Sequence, residues 1–315
     1  MATVLITGGT GLIGSALTTA LLAKNYKVII LTRSLGGKKS TSNLSYATWN
    51  VKEQTIDEKA IGHADHIVHL AGANIAEKRW TEDRKKEIVE SRTMGSTLLV
   101  NALSRVSNDV KSVTSASAIG WYGEDRRTND AGDQRGTVIP FNENDPPDKG
   151  FLGSTCKQWE DSIEPVTQLG KRLVKLRNGI VMSNDDGYYK ELKKRVKLRV
   201  ATILGKGDQV VSWMHIDDIV RLYIATIEDD QWEGVYNAVT PIPVTNKELV
   251  LTMARTRNKF FIPFHVPEKV LKTVIGEGVI EALKSTTVMP AKVQAAGFVY
   301  EYPTIKEAIL ELEGK

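Results

Sequence analysis

The chain has a single cysteine, Cys156, among its 315 residues. An internal disulfide is impossible, which suits a reducing compartment. An excess of one charge is missing too: 42 Lys and Arg against 38 Asp and Glu leave +4. That is too little for a nucleic-acid footprint, and no aromatic-basic pattern adds to it. Long apolar runs are lacking. The first residues carry no basic n-region, and their apolar run is too short for a signal peptide or a membrane helix. Repeats and low-complexity tracts are also missing. The expectation is a cytoplasmic chain with neither nucleic acid nor membrane as partner. Hydrophobic content of 41% and charged content of 25% are ordinary for a globular protein, and the length allows a large core.

What is present begins at once. Val4-Leu5-Ile6-Thr7 is a short apolar run, broken by Gly8-Gly9-Thr10-Gly11-Leu12-Ile13-Gly14. An apolar-periodic stretch follows from Ser15 to Ala23. Strand, glycine turn and helix in that order make a dinucleotide site. Gly8 permits the tight turn, Gly11 leaves room for a pyrophosphate, and Gly14 lets the helix lie close on the sheet. Amides at the helix start, around Thr10, Leu12 and Ile13, then face the phosphates.

Further strands are expected at 27–32, 46–49, 64–70, 110–115 and 171–180, with helices over 81–103 and 149–169. Ile88, Met94, Leu98 and Leu99 are expected core positions of the first of these helices. Alternation of this kind predicts an α/β fold, a Rossmann-like doubly wound parallel sheet covered on both faces. Ligands in such sheets lie beyond the carboxyl ends of the strands. Leu70, Ala71, Gly72, Ser115, Ala116 and Asn178 therefore join the candidate cofactor residues. The loop from Glu124 to Gly150 is long and polar, as functional lids or disordered segments are. After residue 182 the alternation fades. A small C-terminal substrate lobe, 183–213 and 241–315, is expected, with 214–240 returning to the 1–182 domain. The basic run Lys193-Lys194-Arg195 with Lys197 and Arg199 reads as a solvated helix face.

An NAD site places an acid about 20 residues past the glycines. Here the second strand ends Leu31-Thr32-Arg33-Ser34, with no acid. Arg33 is suited to a bidentate contact with a 2′-phosphate, Ser34 adds a hydroxyl, and Lys38 or Lys39 can screen the charge. The expected cofactor is NADP(H).

With TGGTGLIG at 7–14, HLAGAN at 69–74, SASAIGWYG at 115–123, FNENDPP at 141–147 and WMHIDD at 213–218, the chain resembles the extended short-chain dehydrogenase/reductases. More narrowly it resembles their atypical branch, often called epimerase family proteins and sometimes cell-division inhibitors, which carries a C-terminal domain of unknown function. The resemblance implies a Rossmann domain, an NADP-type cofactor and a substrate lobe. It implies no known reaction.

In that superfamily a Ser or Thr works with a YxxxK pair, whose spacing puts Tyr and Lys on one helix face. Ser117 matches the serine. Anchoring the pattern on Glu160 puts Leu152 at the tyrosine and Cys156 at the lysine, so the dyad is missing. Lys157 is one residue off, and one helical step turns it by about 100°. Tyr122 and Glu143 are the substitute proton-transfer candidates, each with a plainer alternative: ring packing for Tyr122, a loop acceptor for Glu143. Arg92, on the long helix after the fourth strand, is counted among the candidate cofactor residues; it could face the site or a carboxylate partner. Cys156 reads as a small buried apolar residue rather than a nucleophile, and His215 as a strand end and helix cap. His63, His66, His69 and His265 show no metal-ligand spacing, and no metal is expected. Two readings stay open. One is an oxidoreductase or epimerase-like enzyme acting on a small polar molecule; the other is a non-catalytic NADP(H) sensor.

Overall fold

The computed structural model describes residues 1–128 and 136–315; part of the expected 124–150 loop thus lies outside the described residues. An eight-stranded sheet organises the fold. It contains β1 (Thr3–Thr7), β2 (Lys27–Thr32), β3 (Leu44–Asn50), β4 (Thr55–Ile56), β5 (His66–His69) and β6 (Ser112–Ala118), then strands at Arg172–Asn178 and Gly234–Ala238. From one edge the order is Gly234–Ala238, Arg172–Asn178, β6, β5, β1, β2, β3, β4. Every pairing is parallel except β3 with β4. The chain winds outward from β1 through β2 to β4, then restarts on the other side at β5. That reversal opens a crevice at the carboxyl end of β1. The fold is the α/β, Rossmann-like arrangement expected.

Side-chain alternation along β1 feeds two cores. Val4 and Ile6 pack with Leu17 and Leu21 of α1 (Leu12–Ala23) and with the helix Ile216–Glu228. Leu5 packs on the other face with Leu98 and Leu99 of α3 (Glu82–Arg105) and Ile163 of α4 (Phe151–Ile163). A short α2 (Glu58–Gly62) precedes β5. A further apolar cluster joins the helices Tyr188–Lys197, Asn246–Thr256 and Ile305–Leu312 around Trp213. Lys194, Arg195, Lys197 and Arg199 of the basic run are exposed there.

Two boundaries and one core assignment differ from expectation for physical reasons. Helix α1 starts at Leu12, directly on the glycine turn. The strand expected over 171–180 breaks at Gly179, where a Cβ would lie 2.7 Å from Val239 and 2.9 Å from the Ser212 carbonyl. Residues Ile180–Met182 then leave the sheet to pair with Trp213–His215. Met94, expected in the core, is only half-buried and faces the crevice.

Candidate functional site

The crevice at the end of β1 is a cavity of about 1040 Å³. Its floor is the glycine turn. Gly8 has φ +69°, and a Cβ there would lie 2.9 Å from the Leu70 backbone. Thr10, Gly11, Leu70, Ala71 and Gly72 line it as expected, with Arg33 at the β2 end. Gly14 is buried beneath the turn, and Leu12 and Ile13 pack their side chains into the core. Ser34 is exposed beside Arg33, its Oγ accepting from the Gly36 amide at 3.2 Å.

Arg33 is exposed and forms no ion pair among the described residues. It also borders a smaller adjoining cavity with Trp49, Asn50 and Asp57. The turn itself is braced from below. Thr7 Oγ1 accepts from the Leu70 and Ala71 amides, both at 3.1 Å, and so donates to His69 Nδ1 at 2.7 Å. His69 is fully buried, and burial lowers its pKa to about 4.

Other cofactor candidates sit elsewhere. Ser115 is 1% exposed and spends its hydroxyl on the Ala116 carbonyl. Ala116 is buried in β6. Asn178 donates to the Tyr223 hydroxyl at 3.0 Å. Their backbone reaches the strand ends, but these side chains face into the protein. Sequence reasoning missed Trp49, Asn50 and Ser91, which also line the groove. Ser91 Oγ accepts from the Ala73 amide at 3.0 Å, tying α3 to the loop after β5.

Ser117, Tyr122 and Glu143 do come together, but in a closed network. Ser117 Oγ donates to Glu160 Oε1 at 2.7 Å. Arg177 pairs with both Glu160 oxygens, at 2.8 and 3.1 Å, and stacks 3.6 Å from the Trp121 ring centroid. It also donates to the Tyr122 hydroxyl at 3.0 Å and the Glu143 carbonyl at 3.2 Å. Tyr122 in turn donates to Asn237 Oδ1 at 2.7 Å, and Glu143 Oε1 accepts from the Asn237 amide at 3.1 Å. Ser117 is 2% exposed and Tyr122 0%. Burial pushes the Tyr122 hydroxyl up to about 12 despite Arg177 beside it. These bonds bolt β6, α4 and later strands together, and they give the three proton-transfer candidates the partners that buried polar groups require.

Leu152 and Cys156 lie against Gly120, at the end of β6. The Cys156 thiol, buried and facing the Ala118 carbonyl, is pushed up to about 12, which rules against a thiolate nucleophile. His215 caps the helix Ile216–Glu228 as expected. It also meets Glu311 at 3.0 Å, and with Asp217 these three offer atoms within 4.8 Å of one another. Both ring nitrogens are already engaged, Nδ1 by the Asp217 amide. His63, His66 and His265 bond Lys59, Ser112 and Gly205 respectively.

A glycine turn under a helix start, at the switch point of a parallel sheet, defines a Rossmann-like dinucleotide-binding protein. The comparisons narrow this class. Residues 4–146 match the model of the NAD dependent epimerase/dehydratase family, and residues 266–312 match a domain of unknown function, DUF1731. An epimerase family protein of Staphylococcus saprophyticus is 33% identical over 98% of both chains. Another, from Mycobacterium tuberculosis, is 32% identical over 98% of this chain and 96% of its own. The structure of human epimerase family protein SDR39U1 with NADPH superposes with a TM-score of 0.83 at 26% identity, covering 99% of each chain. A nucleoside-diphosphate sugar epimerase from Corynebacterium glutamicum gives 0.76 at 28% identity, over all of this chain and 59% of that one. The chain belongs to the epimerase family proteins, an atypical NAD(P)-binding branch of the short-chain dehydrogenase/reductases. Among the described residues, no helix is long and apolar enough to cross a membrane.

Proposed function

We propose that the groove binds NADP(H), with the 2′-phosphate against Arg33. The observation that carries this is the free guanidinium at the end of β2, where an NAD site would carry an acid. Gly11 supports it: a Cβ there would meet only the Gly8 carbonyl, at 3.3 Å, leaving its open side to a pyrophosphate. The human relative solved with NADPH points the same way. Substrate, a small polar molecule, is assigned to the far end of the groove, under the lobe formed by 183–213 and 241–315. Within that lobe the stretch Gly276–Gly278 lies against the start of α3 and the residues just before it. A Cβ on Gly276 would lie 2.6 Å from Arg79, one on Gly278 would lie 3.8 Å from Trp80, and Glu277 pairs with Lys85.

The test is calorimetric titration of NADPH and NADH into wild type and Arg33→Ala. Truncating one partner of a charge-assisted contact costs on the order of 2–5 kcal/mol. NADPH affinity should fall by that measure while NADH affinity holds; equal losses would remove the assignment. A second reading, a non-catalytic NADP(H) sensor in the cytoplasm, draws on the closed Ser117–Glu160–Arg177 network and the missing dyad. Label transfer from deuterated NADPH to a metabolite pool separates the two: transfer requires an enzyme, and firm binding without transfer favours the sensor.

A further inference from the structure

Arg92, its guanidinium 4.9 Å from the Trp159 ring centroid and beside Gly72, belongs to the groove already described. Outside that groove, exposed cations without ion pairs gather at one place. Residues 192–207 hold six Lys and Arg, residues 249–267 hold three, and neither stretch has an acid. The whole chain carries only +4, so the excess is local.

The fold brings the two stretches together. The helix Tyr188–Lys197 runs through Leu198 and Arg199 into the strand Val200–Leu204. The helix Asn246–Thr256 runs through 257–261 into the strand Ile262–Val266. These strands pair in parallel, Val200 beside Ile262, and the Ile262 amide donates to the Arg199 carbonyl at 2.8 Å. Parallel pairing places both helix-to-strand turns at the same end of the ribbon. Lys197, Arg199, Arg255 and Lys259 are exposed there, and among the described residues none of them forms an ion pair. The neighbours that do pair are Lys193 and Arg257, both with Glu313, and Lys194 with Glu191.

Cations in the last turn of a helix complement its dipole. That accounts for the charge but not for the side chains set among it. Leu198, the cap of its helix, is 78% exposed, Phe260 in the other turn 73%, and Ile262 56%. Phe264 continues the Ile262 face of the strand and is exposed too. Apolar side chains ringed by unpaired cations fit a lipid surface with anionic headgroups. The apolar groups enter the headgroup boundary while the cations meet phosphates. A nucleic acid would answer the charge and stack on Phe260, but it would leave Leu198 and Ile262 in water.

We propose that the turns 197–199 and 257–261 form a peripheral docking surface for an anionic lipid bilayer. Leu198 and Phe260 enter the headgroup layer, and Lys197, Arg199, Arg255 and Lys259 face its phosphates. Net charge and short apolar runs pointed away from a membrane, because neither registers what a parallel ribbon assembles from turns about 60 residues apart. The surface is separate from the cofactor groove and does not depend on the NADP(H) reading. The helix Tyr188–Lys197 begins near Leu12, where a Cβ on Gly187 would lie 3.5 Å from the leucine side chain. At 1.5 Å per residue its 10 residues carry the basic end about 15 Å away.

The test is co-sedimentation of the full chain with vesicles of phosphatidylcholine alone, and of phosphatidylcholine and phosphatidylglycerol in equal parts. Wild type should bind the second and not the first, and weaken as salt is added. Lys197→Gln with Lys259→Gln should weaken binding roughly 25-fold, since each cation near such a surface contributes about fivefold. Leu198→Ser with Phe260→Ser keeps every charge and should weaken it roughly 10- to 100-fold. All four side chains are exposed, so urea unfolding should stay at the wild-type midpoint. No binding to the anionic vesicles at low salt overturns the proposal. Binding that survives either pair of substitutions overturns it as well, because the contact then lies elsewhere or rests on charge alone. Tighter binding to polyuridylate or polyglutamate than to the vesicles, lost in the same variants, assigns the surface to another polyanion and equally defeats the proposal.

Discussion

The Ser117 hydroxyl donates to Glu160 at 2.7 Å, and the same Glu160 oxygen accepts from Arg177 Nε at 2.8 Å. The serine that sequence marks for chemistry therefore serves a buried ion pair. Removing one partner of such a pair leaves an uncompensated charge, a loss of about 3–5 kcal/mol. Glu160→Gln should lower stability on that scale in urea unfolding. Ser117→Ala removes one bond and should lose about 1–2 kcal/mol, with NADPH affinity unchanged. A Ser117→Ala protein of full stability that no longer binds or turns over would return the serine to the site.

Tyr122 gives an alkaline signature. Its hydroxyl is held near 12 by burial, above the ordinary 10. The folded state keeps the proton that the unfolded chain releases. The associated stability is whole below about pH 10 and is lost as pH rises towards 12. Tyr188 is also pushed up to about 12, so wild type should show a steep alkaline loss. Tyr122→Phe should flatten it by roughly 3 kcal/mol. It should also cost about 1–3 kcal/mol at neutral pH, by leaving Asn237 without its donor. Identical alkaline slopes for the two proteins would contradict this.

The glycine turn, the free end of β2 and the parallel sheet were legible because each rests on local rules: turn chemistry, charge at one position, and alternating periodicity. The closed network was not. It joins Ser117 to Glu160, 43 residues on, and Tyr122 to Asn237, 115 residues on. A polar residue at a strand end looks the same whether it faces ligand or a distant arginine. Met94 shows the same limit in a helix, since 3.6-residue periodicity marks one face without saying whether core or groove lies against it. The signal that could have warned of the network is Glu160 itself, a carboxylate on the apolar face of α4 that needed a buried cation.

Two glycines of the turn should behave oppositely. A Cβ on Gly14 would lie 2.3 Å from the Gly8 carbonyl and 2.7 Å from Gly9 Cα, all backbone. Gly14→Ala must push α1 off the turn, and thermal unfolding should show a loss of about 1–3 kcal/mol or more. A Cβ on Gly11 meets one atom at 3.3 Å. Gly11→Ala should keep its melting temperature and lose NADPH affinity. If Gly11→Ala binds as wild type does, the phosphates do not rest on this turn.

His69 couples the groove to acid. Thr7 Oγ1 accepts two amides and must donate its own proton, so His69 Nδ1 accepts and Nε2 carries the hydrogen, facing Ser96 Oγ at 3.3 Å. Protonating Nδ1 sets two donors against each other in a fully buried place. Desolvation accordingly lowers the folded pKa to about 4, from 6.5. The sign follows: the unfolded chain takes up the proton first, so this contribution is whole above about pH 6.5 and is lost as pH falls to 4. Its size is roughly 3 kcal/mol. His66 also has a lowered pKa through burial, so wild type alone does not isolate the effect. The informative quantity is the difference in slope between wild type and His69→Gln, measured by urea unfolding from pH 7.5 to 4. The variant should be less stable at neutral pH but lose less on acidification. Because Thr7 holds the Leu70 and Ala71 amides, wild-type NADPH affinity should fall over the same window. Parallel pH slopes would show that His69 is not the group that titrates.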